Sequence, residues 1–239
     1  MSAQRWTGTA WAPFTPQRWT GTAWVPVASA KRWTGVAWVE MLAPAPNPRL
    51  FANLADTFND GVVSEALWPD AYGGVTETGG RARVPTASDY AALQSAPAWQ
   101  LEGSGLFVEV PKVPALVAPA TATTASFQVL SGVEGTSAGF TYDAAAGTLR
   151  LVSNVSYWDD NAVALPYNAT AHRWWRITET AGTLTWATSP DGLTWTTRRT
   201  LPTPAWVIGA TTLQLDTPAY SNDPASTAYV EYDNLNSAP

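Results

Sequence analysis

From Phe51 onward the chain alternates apolar and polar residues in short runs such as Leu106-Phe107-Val108-Glu109-Val110, Ser126-Phe127-Gln128-Val129, Gly139-Phe140-Thr141-Tyr142 and Leu149-Arg150-Leu151. Trp175-Arg176-Ile177-Thr178, Leu184-Thr185-Trp186 and Leu213-Gln214-Leu215 repeat the pattern. A period of two sends successive side chains to opposite faces of a strand, so each run predicts one face in a core and one in water. Thr78-Gly79-Gly80, Asp143-Ala144-Ala145-Ala146-Gly147, Ala181-Gly182 and Pro190-Asp191-Gly192 separate the runs with turn chemistry. Many strands at intervals of about ten residues, with no sustained helical period, predict two antiparallel sheets packed face to face. Asp89-Tyr90-Ala91-Ala92-Leu93 alone reads as a helical turn.

The first forty residues follow a different rule. Arg5-Trp6-Thr7-Gly8-Thr9-Ala10-Trp11 returns as Arg18-Trp19-Thr20-Gly21-Thr22-Ala23-Trp24 and as Arg32-Trp33-Thr34-Gly35-Val36-Ala37-Trp38. Each copy reads as a β-hairpin: a Thr-Gly pair supplies the tight turn, and the two tryptophans meet across the strands. An isolated hairpin is marginal in water, so these units need neighbours, either other copies or other chains. Residues 1–42 are thus expected to form an assembly arm. Pro44, Pro46 and Pro48 mark an extended linker over 43–50, and residues 51–239 form the body.

Charge sharpens this division. Arg5, Arg18, Lys31, Arg32 and Arg49 against Glu40 give residues 1–50 a charge of +4, so an overall −6 leaves −10 on the remainder. Each arm arginine directly precedes a tryptophan, which points to guanidinium stacking on indole and away from nucleic acid, an acidic body being a poor partner for phosphates. Charged residues are only 13% of the chain, about half the usual share, in keeping with a turn-rich β scaffold. Cysteine is absent, which excludes disulfides and thiolate metal sites. No apolar run is long enough for membrane insertion, and Met1-Ser2-Ala3-Gln4-Arg5 lacks the start of a secretory leader, so any work outside a cell is expected to depend on another route of release.

His172-Arg173-Trp174-Trp175-Arg176-Ile177-Thr178-Glu179, then Gly182 and Thr188-Ser189-Pro190-Asp191-Gly192-Leu193-Thr194-Trp195, resemble the signature hairpins of concanavalin A-like (laminin G-like) jelly rolls. The opening Asp56-Thr57-Phe58 and the closing Tyr229-Val230-Glu231-Tyr232-Asp233-Asn234 fit that resemblance, in which first and last strands lie side by side. Such domains, beside tandem Trp-x-Gly-x-x-Trp units, resemble minor tail proteins of phages that infect actinobacteria. The resemblance implies an all-β chain, a jelly-roll β-sandwich preceded by a repeat-built hairpin arm. It further implies a structural virion component, often a homotrimer, that joins other tail proteins and contacts a glycan of the host surface. The rival reading is a soluble carbohydrate-binding lectin with no virion role.

For glycan contact, Tyr157-Trp158-Asp159-Asp160-Asn161 combines two large aromatics with acceptors for sugar hydroxyls on a loop expected to be exposed. Trp68-Pro69-Asp70-Ala71-Tyr72 is a second aromatic loop, with Trp68 and Tyr72 as its candidates. Asp159, Asp160 and Asn161 also form the best oxygen cluster for Ca²⁺, although solvated loop residues are the simpler reading and no resident metal or cofactor is expected. Ser189 to Trp195 is similar to the Asp-box of sialidases, a hairpin brace. Laminarinase-type hydrolases carry Glu-x-Asp-x-Glu on one strand, placing alternate carboxylates on one face. Here Glu109 stands alone and Glu102 lies beyond a Gly-Ser-Gly turn, so the chain is expected not to be an enzyme. The only histidine, His172, sits at a strand start without a nucleophile elbow, which argues against a catalytic triad.

Overall fold

The computed structural model describes residues 49–86 and 89–237, together with the arm strands and Thr22. The chain divides into two compact units, 1–48 and 49–239. In the first, β1 (Gln4–Trp6) pairs with β2 (Trp11–Pro13), β3 (Gln17–Trp19) with β4 (Trp24–Pro26), and β5 (Ala30–Trp33) with β6 (Trp38–Leu42). The registers place Trp6 opposite Trp11, Trp19 opposite Trp24 and Trp33 opposite Trp38, as the repeat predicts. The Thr-Gly turns Thr7-Gly8, Thr20-Gly21 and Thr34-Gly35, and residues 43–48 of the linker, lie outside the described residues. Self-association of the arm through Arg5, Arg18 and Arg32 rests on the sequence alone.

The second unit begins with β7 (Arg49–Leu50), which pairs in parallel with β10 (Trp99–Gln100). Between them lie β8 (Thr76–Glu77) and β9 (Ala82–Pro85). The long strands follow as β11 (Gly105–Lys112), β12 (Thr123–Leu130), β13 (Ser137–Asp143), β14 (Thr148–Asn154) and β15 (Val163–Pro166). The chain closes with β16 (Trp174–Thr180), β17 (Thr183–Ser189), β18 (Thr196–Pro202), β19 (Gln214–Asp216), β20 (Ala219–Ser221) and β21 (Tyr229–Asp233). One antiparallel sheet runs β18-β17-β16-β11-β21-β9-β8, and the other runs β15-β14-β13-β12-β19, with β20 also on β12. The body is therefore the expected jelly-roll β-sandwich. Asp56 bridges Leu235, so the start and end of the domain lie side by side.

The period-two pattern sorts the faces as expected. On β11, Leu106, Val108 and Val110 are buried, while Phe107 and Glu109 face outward. The two inner faces are locked by aromatics that also carry hydrogen bonds. Phe140 stacks on Trp175 at 5.5 Å between ring centres. Trp186 Nε1 donates to Gly139 O at 3.0 Å, and the Tyr232 hydroxyl donates to Ser126 O at 2.8 Å. Each bond satisfies a polar atom that burial would otherwise leave costly. Gly139 has no room for a side chain, since a Cβ there would come within 2.2 Å of Phe127 O.

Two elements differ from the sequence reading. Asp89–Leu93 is not helical: Ala91 bridges Ala219 and Ala92 bridges Tyr72, which extends the edge of the six-stranded sheet. Sheet pairing overrides the weak helical preference of two alanines. A short 3₁₀ turn instead occupies Phe51–Asn53. Among the described residues no helix is long and apolar enough to cross a membrane.

Candidate functional site

The outer face of the six-stranded sheet holds a cleft. Asp216 pairs with Gln128 on one side and bridges Gln94 on the other, so three polar side chains stand in a row across three strands. Both glutamine amides donate to the Asp216 carboxylate, each at 3.3 Å. The next row is Leu130, Ser137 and Asn154. The β12–β13 connection, with Val133, Glu134 and Gly135, and the loop after β14, with Tyr157, enclose a cavity of about 310 Å³ over these rows. Gly135 is needed there because it takes a positive φ of 71° and a Cβ would lie 2.6 Å from Tyr157 N. At the far edge of the same face Tyr220 stacks on Tyr90 at 4.8 Å.

Asp216 is the electrostatic centre of the cleft. Burial pushes its carboxyl up to about 6, against the opposing pull of the Gln128 and Gln94 amides. Because its folded pKa lies above the ordinary value, the carboxyl favours the fold most when protonated. That contribution is fully present below about pH 4 and is lost as pH rises through about 6. Asp216→Asn is accordingly expected to gain about 2–3 kcal/mol over the parent at pH 8 and little at pH 3. Urea denaturation at both pH values measures the difference, and equal shifts at the two would overturn the assignment.

The loop expected to bind sugar divides in two. Tyr157 and Trp158 are 67% and 64% exposed, and Tyr157 joins the cavity wall, its hydroxyl donating to Glu134. Trp158 Nε1 donates to Asp160 Oδ1 at 2.7 Å, and Asp160 and Asn161 are exposed. Asp159 turns inward instead. Its side chain is 6% exposed and pairs at 2.6 Å with Arg199, itself 4% exposed. Burial alone would raise the Asp159 pKa, but Arg199 and the Ser153 and Asn161 amides hold it below the usual range. Asp159 is thus a buried brace for the loop, held by Arg199 and the Ser153 amide, where the sequence leads one to expect an exposed or solvated acceptor.

Trp68 needs a similar correction. It is 2% exposed, stacks on Phe58 at 6.1 Å and donates from Nε1 to Asp56 Oδ2 at 2.8 Å, so it serves the core. Tyr72 remains 40% exposed, beside a shallow depression formed with Glu65 and Val75. Asp191 accepts from the Ser189 hydroxyl and the Leu193 and Thr194 amides, while Trp195 Nε1 donates to Gly192 O, as a hairpin brace requires. Those amides, Thr194 foremost, hold the Asp191 carboxyl down at about 2. His172 is buried and its Nδ1 accepts from Asn168 N. Glu109 accepts from Arg173 and Asn234 on the outside of the seven-stranded sheet.

The described body shares its fold with several solved glycanases. These include a β-glucanase of Bacillus licheniformis, with 13% identity over 76% of this chain and 94% of that one at a TM-score of 0.55. The laminarinase catalytic domain of Thermotoga maritima aligns with 10% identity over 76% and 94% at 0.55. An endo-β-1,3-glucanase of Pyrococcus furiosus aligns with 9% identity over 76% and 91% at 0.53. No protein-family model and no curated protein matches the chain. The likeness is one of fold: the body has the jelly-roll β-sandwich of these glycanases.

This overturns the expectation that the chain is not an enzyme. The expectation rested on the missing Glu-x-Asp-x-Glu triplet, a test that sees only carboxylates on one strand. Here Asp216 comes from β19 and Glu134 from the β12–β13 connection, and both line one cavity. Sequence reasoning missed Asp216, Gln128, Gln94, Glu134 and Asn154. The one local signal was Gln128, a long polar side chain at an outward position of the alternating run Ser126-Phe127-Gln128-Val129.

Proposed function

We propose that the body contacts carbohydrate through the cleft on its six-stranded sheet. The observation that carries this reading is the cavity itself: carboxylate, amide and hydroxyl groups converge on one side and Tyr157 stands on the other, which suits sugar hydroxyls and a sugar face. The finer reading places the chain in a phage tail, where the arm assembles it, as a homotrimer and with other tail proteins, and the cleft meets a glycan of the host surface. Its support is the resemblance of the arm repeats and the body hairpins. A soluble lectin would share the cleft but would be absent from purified particles, so mass spectrometry of virions separates the two. Calorimetry with array-selected glycans tests the cleft: Tyr157→Ala is expected to weaken binding about tenfold. Unchanged affinity in that variant would remove the cleft from consideration.

A second reading, glycoside hydrolysis, is favoured by the pairing of Asp216 with Glu134 in one cavity. A carboxyl that titrates near 6 can hold a proton for the leaving oxygen, while a second carboxylate activates water. Release of reducing ends from laminarin or lichenan, lost in Asp216→Asn, is the expected result. No release from any glycan that binds would leave the cleft a recognition site only.

A further inference from the structure

The cleft carries two acids and no base. Asp216 and Glu134 line it, and every other lining residue is uncharged. Elsewhere on the body Arg81, Arg83, Arg173 and Arg199 each hold a carboxylate, but among the described residues neither Asp216 nor Glu134 takes part in such a pair. The donors to Asp216 are the side-chain amides of Gln94 and Gln128, each at a long 3.3 Å, and the Thr217 backbone amide. Glu134 accepts from the neutral hydroxyl of Tyr157. The strands of this sheet contain a single basic residue, Arg150 on β14. Its row, with Thr141 and Ser126, is the one beside that of Gln128 and Asp216, and β14 lies three strands from β19. At about 4.8 Å per strand the two backbones are about 14 Å apart, beyond the reach of an arginine and an aspartate.

This imbalance selects among sugars. A phosphate or carboxylate on the ligand would meet like charge in the cleft and no cation to hold it. A sugar hydroxyl adds one more neutral hydrogen bond. An ammonium group on the ring adds a charge-assisted one, roughly twice as strong, at a carboxylate that is only 5% exposed. Burial without a cation is also what lifts the Asp216 carboxyl to about 6, so a ligand that brings a positive charge supplies what the folded chain lacks there. We propose that the ligand of the cleft is an amino sugar, its ammonium group held against Asp216, with Glu134 as a second negative charge at the rim and Tyr157 against the ring face. The inference rests on the reading of the cleft as a carbohydrate site and narrows it from glycans at large to those that carry a free amine.

The test compares three β-1,4-linked trimers that differ only in the group at C2 of each ring: glucosamine, N-acetylglucosamine and glucose. Calorimetry uses the full chain at about pH 6, where the free amines are protonated. The glucosamine trimer is expected to bind about tenfold tighter than either of the others, and the margin to narrow as salt is raised. Asp216→Asn, which keeps the shape of the side chain and removes its charge, is expected to erase most of the margin, and Glu134→Gln a smaller part of it. Equal affinity for the three trimers, or a margin unchanged in Asp216→Asn, would overturn the inference and leave the carbohydrate reading standing. Failure of all three trimers, while another glycan binds in a manner that Tyr157→Ala weakens, would do the same. Absence of binding to any glycan on an array would overturn both.

Discussion

Arg199→Met is expected to cost about 3–5 kcal/mol of stability, because it leaves the Asp159 carboxylate buried without its counter-charge. Arg199 lies on β18 at the edge of the seven-stranded sheet, yet its guanidinium reaches the other sheet, donating at 2.6 Å to both Leu151 O and Asp159 Oδ2. Removing it takes a donor from the Leu151 carbonyl and leaves the Asp159 carboxylate with only the Ser153 and Asn161 amides and no counter-charge. The pH dependence gives a second signature. Asp159 is held below its ordinary pKa, so in the parent it contributes stability above about pH 4 that disappears as pH falls through the lowered value. In Arg199→Met that contribution vanishes, and the variant should approach the parent in acid. Urea denaturation at pH 7 and pH 3 measures both effects. A loss under 1 kcal/mol at pH 7 would show that the pair does not hold the sheets together. Tyr157 stands two residues from Asp159, so glycan binding should weaken in the same variant.

Trp186→Ala is expected to cost a similar amount, about 3–5 kcal/mol, for a different reason. The indole is fully buried between the sheets, so its removal opens a cavity and frees Gly139 O, the acceptor of its Nε1. Trp186→Phe, which keeps most of the volume and loses the hydrogen bond, should cost about 1–2 kcal/mol. The gap between the two variants separates packing from bonding. Trp186 lies directly opposite Arg199 on the neighbouring strand, with the guanidinium 5.1 Å from the ring centre. The two sites therefore share a partner, and the double variant should lose less than the sum of the singles. Strict additivity in a denaturation cycle would contradict that contact.

The parts of the molecule legible in the sequence are those whose cause is local. The alternation of Leu106, Val108 and Val110 with Phe107 and Glu109 identifies a strand and its inner face without knowledge of its neighbours. The Asp191 brace is readable because acceptor and donors lie within six residues. The Trp6–Trp11 register follows from spacing around one turn. Loop exposure was legible for Tyr157 and Trp158 but not for Asp159, whose burial depends on an arginine forty residues away. Trp68 reads as a loop aromatic because the acceptor that buries it, Asp56, belongs to another loop.

By itself, then, the sequence determined an all-β body with a tryptophan-repeat arm, which strands exist, and which residues face inward. Only the tertiary structure decided which strands are neighbours, and with that the cleft. Gln128 and Asp216 lie 88 positions apart and meet only because β19 pairs with β12. The physical reason is that side-chain alternation comes from the geometry of a single strand. The order of strands in a sheet is settled by burial summed over the whole sandwich, and no short stretch of sequence records that sum.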